Sequence, residues 1–150
     1  MCYNKINVMK KITLFFVCLV LYNGKLFAQQ LYKMDVPKLV KTAFLKHYPG
    51  VIPFWEKEHA NYEAAFQQNG KATVICFDAN GNILQTEVVI AIAELPPAIM
   101  LYLENKFTNY KIKAASRITK ADGTVHYEAE VNGQDLIFDT AGNFIKAVKA

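Results

Sequence analysis

Val36, Leu39, Val40, Ala43 and Phe44 recur at three- and four-residue spacing, which lays one apolar stripe along a helix. The same spacing returns 59 positions later in Leu95, Ala98, Ile99, Tyr102 and Leu103. Asp35 and Glu94 place negative charge where each helix would begin, favourable against its dipole. Pro37, Pro96 and Pro97 suit a first helical turn, whose amide hydrogens have no partner in any case. Tyr48-Pro49 is a stop signal for the first helix.

After each helix the period changes to two. Short apolar runs alternate with Asn69-Gly70, Asn80-Gly81, Asp122-Gly123 and Asn132-Gly133, read as tight type I′ hairpin turns, and with a looser Ala141-Gly142. Strands are predicted at 52–59, 61–67, 72–78, 83–91, 111–120, 124–131, 135–139 and 143–149. Links this short permit only antiparallel neighbours. Tyr62, Ala64 and Phe66 are predicted to face the helix and Glu63 to face away. Tyr127, Ala129 and Val131 repeat the inward pattern, with Glu128 and Glu130 outward. Thr73 to Phe77 and Val88 to Ala93 are apolar in both directions, as in a central strand or a seam between two copies.

Internal similarity organises these elements. Val36-Pro37 returns as Leu95-Pro96, and Tyr62-Glu63-Ala64 as Tyr127-Glu128-Ala129. Asn69-Gly70 returns as Asn132-Gly133, and Phe77-Asp78 with Gly81-Asn82 as Phe138-Asp139 with Gly142-Asn143. The offsets differ between matched blocks, so length changes fall in loops. The expected fold is α+β: two tandem repeats, each one helix packed on a roughly four-stranded antiparallel sheet. Repeat 1 covers 35–91 and repeat 2 covers 94–150, behind a short linker at 29–34.

The run Asp35-Val36-Pro37, Phe44, Tyr48-Pro49, Trp55, Tyr62-Glu63, Phe66, Asn69-Gly70-Lys71, Phe77-Asp78 and Gly81-Asn82 resembles the PepSY-like, beta-lactamase-inhibitor-protein-like family of exported bacterial proteins. The second copy departs from it, with Phe107-Thr108 in place of Tyr-Pro and no Trp answering Trp55. The resemblance implies a tandem α+β fold, a cell-envelope location and an inhibitory or protein-binding role. It supplies no catalytic residue.

Charge then locates the amino terminus. The chain carries 17 Lys/Arg against 13 Asp/Glu. Lys5, Lys10, Lys11 and Lys25 lie in the first 28 residues, which hold no acid, so the remainder is formally neutral. No basic run is left to capture a phosphate backbone, and nucleic acid is not an expected partner. Lys10-Lys11, the apolar run Ile12 to Tyr22 and Ala28 before Gln29 form a signal peptide over 1–28. That run is too short to span a bilayer, which takes roughly 20 residues, so no membrane association is expected after cleavage. An uncleaved amino-terminal anchor is the alternative. Cys2 and Cys18 leave with the signal, and Cys76 remains alone inside an apolar run, where it reads as a small buried hydrophobe.

Candidate chemistry is sparse. His47, His59 and His126 form no pair with metal-ligand spacing, so neither a metal site nor a cofactor is expected. Asp78-Ala79-Asn80-Gly81-Asn82 has its Gly too early for a calcium loop and reads as a hairpin turn. Ser116 lies in no nucleophile elbow, and Cys76 has no His beside it. Glu56, Glu58, Glu63, Glu128 and Glu130 alternate as solvent-facing strand charges do. Trp55, among polar neighbours and without a counterpart, is either core or an anchor for a partner. The sequence therefore predicts an exported, non-enzymatic binding module, a protein (hydrolase) inhibitor or envelope-sensing domain, with an unidentified protein partner in the envelope met by the sheet face opposite the helices or by the hairpin tips. Trp55, Glu63, Glu128 and Glu130 are its candidate contacts. A small-ligand carrier with a pocket between helix and sheet is the alternative, and an enzyme assembled only in three dimensions is a third.

Overall fold

The computed structural model describes residues 35–149. The signal peptide, the linker at 29–34, Cys2 and Cys18 lie outside the described residues. Helix α1 (Lys38–His47) is followed by strands β1 (Phe54–Glu58), β2 (Asn61–Gln68), β3 (Lys71–Phe77) and β4 (Ile83–Ile90). A 3-10 turn (Ile92–Glu94) leads into helix α2 (Pro97–Lys106), then β5 (Ile112–Lys120), β6 (Val125–Val131), β7 (Gln134–Phe138) and β8 (Phe144–Lys149).

The expected pair of four-stranded helix-on-sheet repeats is corrected at the level of the sheet. The eight strands form one sheet in sequence order, and the described residues are mostly β with two α-helices. The physical reason lies in β4. It has a neighbour on either side, β3 and β5, so it cannot be the closing edge of a separate sheet. The chain divides into two compact units with the boundary inside this strand, between Thr86 and Glu87.

Each unit has its own apolar core. In the amino-terminal unit Val36, Val40 and Phe44 of the helical segment pack on Tyr62, Ala64 and Phe66 of β2 and on Ile75 and Phe77 of β3. In the carboxy-terminal unit Leu95, Ile99 and Leu103 pack on Ile112, Ala115, Ala129, Val131, Leu136 and Phe138. The buried stripe is narrower than its spacing suggests: Leu39 is 61% exposed. Its backbone is what the fold uses, because Gly81 lies against it. A Cβ built on Gly81 would stand 2.8 Å from the Leu39 carbonyl oxygen, and one on Gly142 would stand 2.6 Å from the Ala98 Cβ. Both glycines have positive φ, +85° and +87°.

Two further expectations change. Asn69-Gly70 and Asn132-Gly133 have positive φ at both residues, as type I′ turns require. At Asn80-Gly81 and Asp122-Gly123 only the glycine does, so these loops have a different geometry. In the second of them Lys120 N donates to Thr124 O at 2.9 Å and Gly123 N to Lys120 O at 2.9 Å. Glu94 does not charge the start of α2. Its carboxylate accepts from Ala91 N at 2.9 Å and caps the 3-10 turn instead.

Candidate functional site: the sheet faces turned away from the helices

Strand register decides which side chains share a face, because successive residues point to opposite sides. In the amino-terminal unit Trp55, Ala64 and Ile75 are aligned across β1, β2 and β3, and Ala64 and Ile75 belong to the core under α1. Trp55 is half-buried against that core. Its ring meets Phe44 edge-on at 5.5 Å and lies 6.2 Å from Phe77.

The neighbouring row is different in kind. Glu56, Glu63 and Cys76 are aligned on the opposite face, with Glu56 directly across from Glu63. Trp55 and Glu63 therefore stand on opposite sides of the sheet. Glu63 is 4% exposed and Glu58 is 6% exposed, with no hydrogen-bond partner for either Glu58 carboxylate oxygen among the described residues. Burial pushes the carboxyls of Glu56 and Glu58 above the usual range. The Glu58 charge adds to the effect at Glu56, and His59 partly offsets it at Glu58. Burial, helped by the charges of Glu63 and Glu58, pushes the Cys76 thiol up to about 12.

The carboxy-terminal unit repeats this on the face away from α2. Ser116 is aligned with Glu128 and then Ile137, and Ala114 with Glu130 and then Asp135. Ser116, Glu128, Glu130 and Asp135 are all buried, at 1%, 3%, 5% and 0% exposure. The Ser116 Oγ and the Glu130 Oε2 have no hydrogen-bond partner among the described residues. Glu130 Oε1 accepts from Lys113 Nζ at 2.8 Å. Lys113 reaches it because the pairing register slips between Ile112 and Ala114, and a bulge of this kind re-aims a side chain.

The expectation that these glutamates are ordinary solvent-facing charges is thus overturned. Alternation assigns a side chain to a face and carries no information on whether that face meets water. Glu63, Glu128 and Glu130 do fall away from the helices, as predicted, but they are buried there. Ser116, Lys113 and Asp135 were not singled out as contacts. One signal for Asp135 was present: counting outward from the two-residue turn Asn132-Gly133 pairs Glu130 with Asp135.

Of the remaining candidates, His126 shares the face of Glu128 and Glu130, and the others are exposed or engage only their own loops. His47 and His59 are exposed, the latter at φ +56°, and His126 is aligned with Ile118. The Asp78 carboxylate is taken up by its own loop, accepting from Asn80 N, Asn82 N and Asn82 Nδ2 at 2.8–2.9 Å. Asp139 does the same with Ala141 N, Asn143 N and Asn143 Nδ2. These bonds hold both carboxyls below the usual range, the Asn82 and Asn143 side chains contributing most. An open groove of about 650 Å³ beside α2 is lined by Ile92, Leu95, Met100, Leu101 and Glu104, among others.

Solved structures share this fold. A protein of Bacteroides eggerthii described as "putative periplasmic" superposes with a TM-score of 0.70 at 18% identity, over 77% of this chain and 90% of its own. A DUF2874 family protein of Bacteroides uniformis gives 0.67 at 20% identity, over 75% and 88%. A BLIP-like protein of Bacteroides fragilis gives 0.64 at 25% identity, over 78% and 88%. None of the functionally curated proteins compared with the sequence matches it. No helix among the described residues is long and apolar enough to cross a membrane. The sequence pattern of the family described as "Putative beta-lactamase-inhibitor-like, PepSY-like" matches residues 60–146, more than half of the chain, and the chain belongs to that family.

Proposed function

We propose that this chain is an exported, non-enzymatic binding module of the cell envelope that docks on another protein, as a protein (hydrolase) inhibitor or as an envelope-sensing domain. The observation that carries this reading is the carboxylate-bearing sheet face. A fold optimised only for stability would fill those positions with apolar residues, since burying charge is costly. Family membership supports a non-catalytic role, and the description of a structural neighbour as periplasmic supports export. The Cys76 thiol, pushed up to about 12, is not a thiolate at neutral pH.

A small-ligand carrier has less support. The groove beside α2 takes all its lining from residues 92–104, so it does not lie between helix and sheet. Affinity capture from native envelope extract, followed by mass spectrometry, tests the leading reading. A saturable, near-stoichiometric complex with one envelope protein is expected. Folded chain that elutes alone from extracts of every growth condition contradicts it.

A further inference from the structure

Three Asn-Gly dipeptides lie among the described residues, all in turns of the sheet, and the fold holds them differently. The dipeptide is chemically labile, because glycine leaves its amide nitrogen uncrowded and close to the preceding side-chain amide. In a folded chain the rate depends on how much structure must open before that nitrogen meets the side-chain carbonyl carbon. At Asn69-Gly70, between β2 and β3, both residues are exposed, and nothing lies within 4 Å of a Cβ built on the glycine. Asn132-Gly133, between β6 and β7, is alike in both respects. Neither glycine amide donates a hydrogen bond among the described residues. Asn69 and Asn132 also sit at φ +50° and +52°, a left-handed backbone strained for a residue with a side chain. Asn80-Gly81 is held instead. Gly81 N donates to Asp78 O at 3.1 Å, and Asn80 N donates to Asp78 Oδ1 at 2.9 Å. The glycine is also pressed on α1, where an added Cβ would stand 2.8 Å from the Leu39 carbonyl oxygen.

We propose that Asn69 and Asn132 are sites of spontaneous deamidation in the folded protein, and that the Asp78 loop protects Asn80. Gly70 N attacks Asn69 Cγ, and the new N–Cγ bond closes a five-membered succinimide. The glycine amide proton passes through water to Nδ2, and the Cγ–Nδ2 bond breaks to release ammonia. Water then adds to one of the two ring carbonyls and opens the ring, giving aspartate or isoaspartate. No electrons are gained or lost, and water is the co-reactant. Gly133 N acts in the same way on Asn132. Each event places a carboxylate on a hairpin tip, and the isoaspartyl product lengthens the turn backbone by one carbon. A two-residue turn accommodates that badly, since loop length sets strand register. At Asn132 the pairs nearest the turn are Val131 with Gln134 and Glu130 with Asp135, so the modification acts on the end of the buried acidic row. The chemistry is independent of any partner.

The test incubates the full purified chain in warm, mildly alkaline buffer, digests samples briefly with trypsin and sequences the peptides by mass spectrometry. Cleavage after Lys57, Lys71, Lys106, Lys120 and Lys146 puts Asn69, Asn80 and Asn132 in three different peptides. Conversion of amide to acid at Asn69 and Asn132 is expected to run about tenfold ahead of Asn80, the effect of one further hydrogen bond that must open first. In urea the three sites are expected to convert alike, because they share one dipeptide. Asp78→Ala keeps Asn80-Gly81 in sequence and removes the carboxylate that ties its loop, so it is expected to raise conversion at Asn80 severalfold. Gly70→Ala is expected to slow conversion at Asn69 and leave Asn132 unchanged in the same molecule. Equal conversion of all three sites in the folded chain overturns the protection of Asn80. Amides that persist at Asn69 and Asn132 in the folded chain, while the unfolded chain converts, overturn their assignment as modification sites.

Discussion

Glu130 and Asp135 face each other across β6 and β7, 5% and 0% exposed, on the side of the sheet turned away from α2. Removing one of two opposed buried charges relieves repulsion, and the Lys113 released from Glu130 returns to water because its side chain is already 60% exposed. Glu130→Gln is therefore expected to raise folding stability by about 1 kcal/mol, the upper end of a cross-strand charge effect. Urea unfolding followed by circular dichroism measures it. A loss of similar size shows that the carboxylate stabilises the fold.

A glycine in open space and one in close contact give a paired stability experiment. Gly70 has φ +75° with nothing near its missing Cβ, so Gly70→Ala carries only the left-handed penalty of about 1 kcal/mol. Gly81→Ala adds a collision with the Leu39 carbonyl oxygen, which belongs to the backbone and cannot swing aside. Its total cost is expected to be roughly 3 kcal/mol. Equal losses at both positions mean that the loop does not bear on α1 in solution.

Acid should act in two stages of opposite sign. Glu56 and Glu58 have carboxyls raised in the folded state, so the folded chain holds their protons more tightly than the unfolded chain. Stability therefore rises as pH falls from neutral through their folded values. Asp78 and Asp139 are depressed by their loop hydrogen bonds. Their contribution is present above the unfolded value of about 3.9 and is lost as pH falls toward their folded values. Melting temperatures across this range should pass through a maximum on the acid side of neutrality. Replacing Asp78 with Asn should flatten the fall at the acidic end. A melting temperature that drops steadily from neutral pH downward contradicts the assignment for Glu56 and Glu58.

Trp55 separates the two sheet faces. Its ring sits at the edge of the Phe44 and Phe77 cluster, so Trp55→Ala is expected to cost about 2–3 kcal/mol, less than a fully buried Trp. As the chain's single indole, it should show emission intermediate between buried and exposed. Emission that stays unchanged when the captured envelope partner is added is expected, because Trp55 is on the helix side of the sheet, and a large shift would place the contact at Trp55 instead.

Much of the fold was legible in the spacing of residues, and the reasons are local. Each of the eight strands falls close to its predicted position because Asn-Gly and Asp-Gly dipeptides punctuate period-two runs. The inward set Tyr62, Ala64 and Phe66 follows from alternation alone. The single sheet did not follow, because nothing local in Ile83–Ile90 states whether that strand has one neighbour or two. The buried acidic rows were missed for the same reason: Glu63, Glu128 and Glu130 alternate as exposed charges do, and only tertiary structure removes them from water. Lys113 was out of reach because its direction depends on a register slip that no residue type announces.

The central claim is that partner binding uses the carboxylate face rather than the helical side, and one comparison bears on it directly. The affinity of the captured envelope partner is measured for Glu130→Gln and for Leu101→Ser, which changes a 59%-exposed residue on α2. The account predicts affinity weakened by about tenfold in Glu130→Gln, one charge-assisted contact, and unchanged in Leu101→Ser. Unchanged affinity in a folded Glu130→Gln together with loss in Leu101→Ser would contradict it and move the binding surface to the helix.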